Sequence, residues 1–117
     1  TALGKVLTCK IPGIASESFK RGVTQYTLNT ITDEVAYLKE IETVRLQGYA
    51  VDREEWSNGI NCIAAPLVDG AGDVVAGISI SGPTSLYPVE KILEHVPVLI
   101  DYAHRISAHM RLRGSGR

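Results

Sequence analysis

Three side chains able to form hydrogen bonds interrupt two apolar runs in the middle of the chain. Cys62 lies in GINCIAAPLVD, and Ser79 and Ser81 lie in VVAGISISGP. Each hydroxyl both donates and accepts hydrogen bonds, whereas a thiol donates only weakly. Three such groups against an apolar wall are typical of a small-molecule pocket. The alternative is that they are core residues whose polar atoms bond to neighbouring backbone carbonyls.

The two runs are predicted to pair as a β-hairpin, because a glycine-rich turn separates them. With the turn centred on residues 70–71, residues whose numbers add to about 141 lie opposite each other. Cys62 then faces Ser79, and Ile60 faces Ser81. Opposed residues project to the same face of a sheet. We therefore expect the thiol and both hydroxyls to share one buried face that is floored by Ile60.

The elements around the hairpin are predicted from capping signals and hydrophobic spacing. TALGKVLTCK begins with a potential threonine cap and predicts a short helix, and ASESFKRGV predicts a single turn. A longer helix is expected to be capped by Thr30 or Thr32 and to end at Gly48, before a short strand in GYAVD. On the second hairpin strand, the residues expected to face away from the serines are Val74, Ala76, Ile78 and Ile80.

Two helical stripes are predicted to supply much of the core. The first consists of Val35, Leu38, Ile41 and Val44. The second, in the helical last third of the chain, consists of Ile92, Val96, Leu99, Ala103, Ile106 and Met110. Pro97 is expected to kink that helix or divide it in two. The sequence RLRGSGR at 111–117 predicts a polar, frayed tail.

Composition narrows the classes of function. The 117 residues suffice for one domain with a modest core. The formal net charge of −1 argues against DNA binding by this chain itself, because phosphate contacts need a basic face. No apolar run approaches the roughly 20 residues that cross a bilayer. Cys9 and Cys62 lack metal or redox spacing, so we expect reduced thiols, a cytoplasmic location and no cofactor.

Four motifs resemble the effector-binding domain of IclR-type transcriptional regulators. They are TALGKVL, VRLQGYAVDREE, GINCIAAPLVD and VVAGISISGP, in the family's order and over essentially the whole chain. The resemblance implies an α+β, sandwich-like fold with a GAF/PAS-like curved antiparallel sheet and flanking helices. It also implies that residues 1–117 are the C-terminal portion of this domain. The first sheet strands and a winged helix-turn-helix DNA-binding domain would then precede Thr1, and the regulator would work as a homodimer or tetramer.

The resemblance also implies a ligand site. The residues at the family's effector-contact positions are Asp52, Cys62, Ser79, Ser81, Leu3 and Gly4, to which the hairpin adds Ile60. Such a set suits a small carboxylic acid that carries a hydroxyl or keto group. Backbone N–H groups at the start of the first helix would favour its carboxylate, and Asp52 would accept a hydrogen bond from its hydroxyl or hydrated carbonyl. Binding would modulate the DNA affinity of the missing domain.

Two other functions stay open from the residues alone, catalysis and pure oligomerisation. Cys62 could be a nucleophile, but the three histidines all lie in the C-terminal helical region without metal-pair spacing. Thr1 could be an N-terminal nucleophile, although a fragment boundary explains it more simply. The glycines of GAGDVVAG open no helix, which argues against a dinucleotide site. No catalytic or metal site is therefore predicted, and the apolar helices could serve only oligomerisation.

The charged segment DREEW, residues 52–56, is predicted to form a solvated loop from Arg53 to Glu55. The resemblance places this loop close to the pocket entrance. Trp56 would then report on binding at that entrance.

Overall fold

The computed structural model describes residues 1–11 and 13–115. Its three strands form one antiparallel sheet in the order β1-β2-β3, with helices on both faces. This architecture confirms the predicted α+β fold class. The elements in chain order are α1 (Ala2–Thr8), α2 (Ile14–Lys20), α3 (Glu34–Gln47), β1 (Ala50–Arg53), β2 (Ile60–Val68), β3 (Val74–Pro83), α4 (Val89–Leu93) and α5 (Val96–Ser115).

Helix α3 begins later than predicted. Its cap is Asp33, whose carboxylate accepts a hydrogen bond from the N–H of Ala36 at 2.9 Å, so the expected caps Thr30 and Thr32 are wrong. The hydroxyl of Thr30 is engaged elsewhere, in a hydrogen bond to a backbone carbonyl of the β1–β2 loop. The predicted end at Gly48 is confirmed, since this residue has a φ of 86° that glycine adopts without strain.

The predicted core stripe of α3 holds only in its second half. Ile41 and Val44 are buried, whereas Val35 and Leu38 are 65% and 40% exposed. Helix α1, which packs against α3, has 7 residues and α3 has 14. Ile41 and Val44 share one core with Ala2 and Val6 of α1. At 1.5 Å of rise per residue, α1 spans about half the length of α3, so the first half of the predicted stripe lies outside this contact.

The opposite face of the sheet packs against α4 and α5. Ala76, Ile78 and Ile80 of β3 lie on this face, as the alternation predicts. The buried residues of this core are Val51, Ile63, Ala65, Leu67, Ile92, Leu99 and Ala103.

Pro97 divides the C-terminal helical region, as predicted. Helix α4 ends at Leu93 and α5 begins at Val96, so Pro97 lies in the first turn of α5, where its missing N–H costs no intrahelical bond. Helix α5 continues to Ser115, and the predicted frayed tail is therefore wrong for residues 111–115. Arginine and leucine are good helix formers, which is consistent with this extension. Residues 116–117 lie outside the described part.

The hairpin register differs from the predicted one by two residues. Cys62 lies opposite Ser81 rather than Ser79, and Ile60 lies opposite Pro83. Ser79 pairs with Ala64. Because side chains alternate with a period of two, a shift of two leaves every residue on its predicted face. The predicted sharing of one face is thus confirmed, and the predicted pairs are wrong.

The turn explains the shift. Asp69 Oδ1 accepts hydrogen bonds from the N–H groups of Ala71 and Asp73 at 2.9 and 3.0 Å, which closes a loop over residues 69–73. An irregularity between the pairs of Leu67 and Val68 adds one more residue to the β3 side. The alternation of apolar residues reveals neither feature. It shows neither an aspartate side chain that closes a turn nor a bulge in the following strand.

Candidate ligand site on the sheet

One polar row crosses all three strands. Asp52 on β1 lies opposite Cys62 on β2, and Cys62 lies opposite Ser81 on β3. Directly opposed residues on antiparallel strands have Cα atoms about 4.5–5.5 Å apart and project to the same face. We call Asp52, Cys62 and Ser81 the polar row. The sheet thus brings together residues that lie far apart along the chain.

The other predicted site residues border this row. Ser79 occupies the neighbouring position of β3 on the same face, two residues before Ser81. Helix α1 passes close to β3 beside Ser79. Its Leu3 lies so near the strand that a Cβ atom on Gly77 would be only 2.5 Å from Cδ1 of Leu3. Ile60 continues the face beyond Cys62 and is partly exposed.

Gly4 does not offer its N–H to a ligand. That N–H donates to the hydroxyl of Thr1 at 3.0 Å, the capping bond that the sequence predicted for α1. The expected contribution of the Gly4 N–H to an anion site is therefore wrong. Leu3 contributes an apolar side chain beside β3.

The serines are not buried as expected. Ser79 and Ser81 are exposed and Cys62 is half-buried. Helix α1 covers Ala50 and Ala64, and this cover stops short of the serines. Neither hydroxyl has a hydrogen-bond partner within residues 1–11 and 13–115, so the alternative of serines bonded to neighbouring carbonyls is wrong. The thiol fits that alternative better, since its sulfur lies 3.7 Å from the carbonyl of Ile63.

Asp52 is buried, with 5% of its surface exposed. Its Oδ1 accepts a hydrogen bond from the N–H of Glu55 at 2.8 Å. Its second carboxylate oxygen has no donor among the residues that the structure describes. A buried carboxylate is costly unless its oxygens are hydrogen-bonded. That oxygen is thus available to a donor from a ligand.

The loop after Asp52 is anchored, and the prediction of a solvated loop from Arg53 to Glu55 is wrong for its last residue. Glu55 is buried, and its Oε1 lies 2.8 Å from Nζ of the fully buried Lys5. Glu54 adopts a positive φ of 55°, and its carboxylate accepts a hydrogen bond from the N–H of Gly59 at 2.8 Å. An ion pair between residues 50 positions apart leaves no local signal in the sequence.

A second segment holds the same loop from outside. Thr27, Asn29 and Thr30 each donate a side-chain hydrogen bond to a backbone carbonyl, those of Glu54, Arg53 and Glu55 respectively. Sequence reasoning missed this clamp. Its only trace is the polar composition of the segment, which is common to many loops.

A cleft of about 220 Å³ lies beside the anchored loop. Its aromatic lining comes from Phe19, Tyr26, Tyr37 and Trp56, with Lys5 and Glu55 among its polar lining residues. None of the predicted site residues lines it. Trp56 is half exposed and lines this cleft rather than the polar row.

Of the remaining titratable candidates, His95 lines one small cavity together with Ser81, whereas Cys9, His104 and His109 lie away from the row. Cys9 is buried in the core under α1 and donates to the carbonyl of Val6 at 3.3 Å, and burial raises the pKa of its thiol. His104 and His109 belong to α5, which packs on the opposite face of the sheet from Cys62. Within the described residues there is no group of three or more potential metal ligands. Nor does any helix there have the length and apolar character to cross a membrane.

Comparison with known proteins decides the family. The model of the bacterial transcriptional regulator IclR C-terminal family matches residues 1–108. The chain belongs to the IclR C-terminal family. Its resemblance in four motifs is thereby confirmed along nearly the whole chain.

Named members show how this IclR-type domain is related to others. It is 41% identical to the transcriptional regulator KdgR of Escherichia coli over 112 residues, which cover 94% of this chain and 43% of KdgR. It is also 41% identical to the repressor AllR of Salmonella typhimurium over 92 residues, 79% of this chain and 34% of AllR. The chain thus spans less than half the length of these regulators.

Solved structures agree with the fold. The C-terminal domain of E. coli KdgR superimposes with a TM-score of 0.80 over 94% of this chain and 68% of that one, at 41% identity. The inducer-binding domain of PobR from Acinetobacter, a double mutant in complex with 3-hydroxybenzoic acid, gives 0.85 over 92% and 65%, at 27% identity.

Proposed function

We propose that this IclR-type domain binds a small carboxylic acid bearing a hydroxyl or keto group on the polar row. The observation that carries the proposal is the alignment of Asp52, Cys62 and Ser81 across three strands. Two exposed serine hydroxyls and one carboxylate oxygen of Asp52 in this area have no partner among the described residues. These groups match the donors and acceptors of such an acid.

The chemistry assigns the two ends of the acid. An ionised Asp52 only accepts hydrogen bonds and repels a carboxylate, so it suits a hydroxyl or hydrated carbonyl. The hydroxyls of Ser79 and Ser81 can donate to the carboxylate. Leu3 and Ile60 supply apolar surface on either side.

The PobR domain supports this class of ligand. Its complex contains 3-hydroxybenzoic acid, a compound that combines a carboxylate with a hydroxyl. By analogy, a hydroxylated acid suits the donors and acceptors of this chain.

A thermal-shift panel tests the proposal. We expect pyruvate, gluconate or 3-hydroxybenzoate to raise the midpoint of unfolding, because a ligand at 100 times its Kd stabilises the folded state by about 2.7 kcal/mol. Two compounds are matched controls for 3-hydroxybenzoate. Benzoate lacks its hydroxyl, and 3-hydroxybenzyl alcohol lacks its carboxylate. No stabilisation by any acid, or equal stabilisation by the controls, would contradict the proposal, and turnover of an acid would indicate an enzyme.

We propose further that DNA binding belongs to a winged helix-turn-helix domain outside this chain, whose affinity the bound acid modulates in the cytoplasm. The formal net charge of −1 supports this division. In a mobility-shift assay with the regulator's operator, the chain alone should leave the DNA unshifted. A sequence-specific complex would overturn the division.

We also propose that the chain forms homodimers or tetramers. Val98 and Tyr102, one turn apart on α5, are both about half exposed, and apolar surface of this kind favours association. Light scattering at micromolar concentration should give at least twice the monomer mass. A monomer mass would contradict this proposal.

A further inference from the structure

We propose that Lys5 is a positioning residue, which fixes the carboxylate of Asp52 through Glu55. This inference rests on the proposed ligand site at the polar row. It adds a residue that does not itself belong to that row.

Lys5 is the most unusual charge in the domain. It is 1% exposed, and lysine is almost never fully buried unless it is paired. Its Nζ lies 2.8 and 3.0 Å from the two carboxylate oxygens of Glu55, 2.8 Å from the carbonyl of Val51 and 3.3 Å from Glu40. One ammonium group thus joins α1 to α3, to β1 and to the loop that follows β1.

These contacts converge on the peptide that holds Asp52. Val51 directly precedes Asp52, so the bond from Lys5 to its carbonyl fixes the backbone of β1 at that point. Glu55 supplies the N–H that binds Asp52 Oδ1 at 2.8 Å. The Glu55 carboxylate also accepts the N–H of Arg53 at 3.1 Å, and its carbonyl is held by Thr30. Lys5 is the only charged donor in this set among the described residues.

The charge on Lys5 contributes more to the placement of the surrounding oxygens than to the stability of the fold. A buried ion pair is weak evidence for stability, since apolar side chains of similar volume often replace it without loss. A lysine, unlike an apolar residue, holds specific oxygens at specific distances. Here those oxygens determine where Glu55 presents its N–H. The same helix also places Leu3 against β3. Helix α1 thus contacts both edges of the site, β3 through Leu3 and the loop after β1 through Lys5.

The test compares Lys5→Met with Lys10→Met, an exposed lysine just beyond the same helix that serves as matched control. The first readout, without ligand, is the NMR signal of the Glu55 amide proton, which is shifted downfield by its bond to a carboxylate. We expect Lys5→Met to move this signal upfield and Lys10→Met to leave it in place. An unchanged signal in Lys5→Met would overturn the proposal, whether or not any acid binds.

The second readout is the affinity for 3-hydroxybenzoate, gluconate and pyruvate by calorimetry. We expect Lys5→Met to weaken binding about 10-fold, the lower end of the loss seen when outer partners of metal ligands are removed. The double variant Lys5→Met with Glu55→Gln removes the unpaired buried charge and should regain stability while its affinity stays low. Recovery of affinity together with stability would show a merely structural role. If the unmodified chain binds none of the acids, the proposed function fails, and the amide signal alone then decides the role of Lys5.

Discussion

Asp52→Asn should weaken binding of a hydroxylated acid by about 10- to 100-fold, because a hydrogen bond to a charged group contributes about 1.5–3 kcal/mol. Asparagine keeps an oxygen for the N–H of Glu55, so the anchored loop stays closed. It replaces the second carboxylate oxygen by an amide that donates instead of accepting. Calorimetric titration with 3-hydroxybenzoate and gluconate measures the loss.

The control for this prediction is Asp73→Asn. Asp73 is exposed in the hairpin loop, and its substitution removes the same charge without touching the row. The free energy of unfolding of Asp52→Asn, from urea denaturation, should change by less than about 1 kcal/mol, as its hydrogen bond to the backbone is retained. Lower stability with unchanged affinity would mean that Asp52 serves only the loop.

Leu99→Ala should cost about 2–5 kcal/mol of unfolding free energy, the range for truncating a buried leucine. Leu99 is 1% exposed and lies in the core between α5 and the sheet. His104 of the same helix is exposed and belongs to no proposed surface, so His104→Ala should change stability by less than about 0.5 kcal/mol. Urea denaturation measures both.

The same pair separates the two faces of the sheet. The polar row lies on the face that α1 covers in part, opposite α5. Folded Leu99→Ala should therefore bind the acids with the affinity of the unmodified chain. A similar stability loss in both variants would contradict the described orientation of α5, and a specific loss of affinity in Leu99→Ala would place the ligand on its side of the sheet.

The sequence predicts the faces of this sheet better than its register. Alternation places Cys62, Ser79 and Ser81 together, and a slip of two residues preserves that result. The pairs themselves depend on how Asp69 closes the turn and on the irregularity beside it. Those details depend on local bonds that hydrophobic periodicity does not encode.

Long-range polar contacts account for the other differences between the predicted and the observed structure. The segment from Arg53 to Glu55 has the composition of a solvated loop, and only the folded chain brings Lys5 to it. The sequence around Thr30 predicts a helix cap, but in the folded chain its hydroxyl donates to the backbone carbonyl of Glu55 instead. In both cases a partner more than 20 residues away outweighs the local preference.

An NMR titration of the amide signals with each acid of the panel shows directly whether the acid binds at the polar row. For binding at this site, we expect shifts that saturate together at Asp52, Cys62, Ser79 and Ser81 and at the adjoining Leu3. Saturating shifts confined to the aromatic cleft of Phe19, Tyr26, Tyr37 and Trp56, with the polar row unmoved, would contradict it.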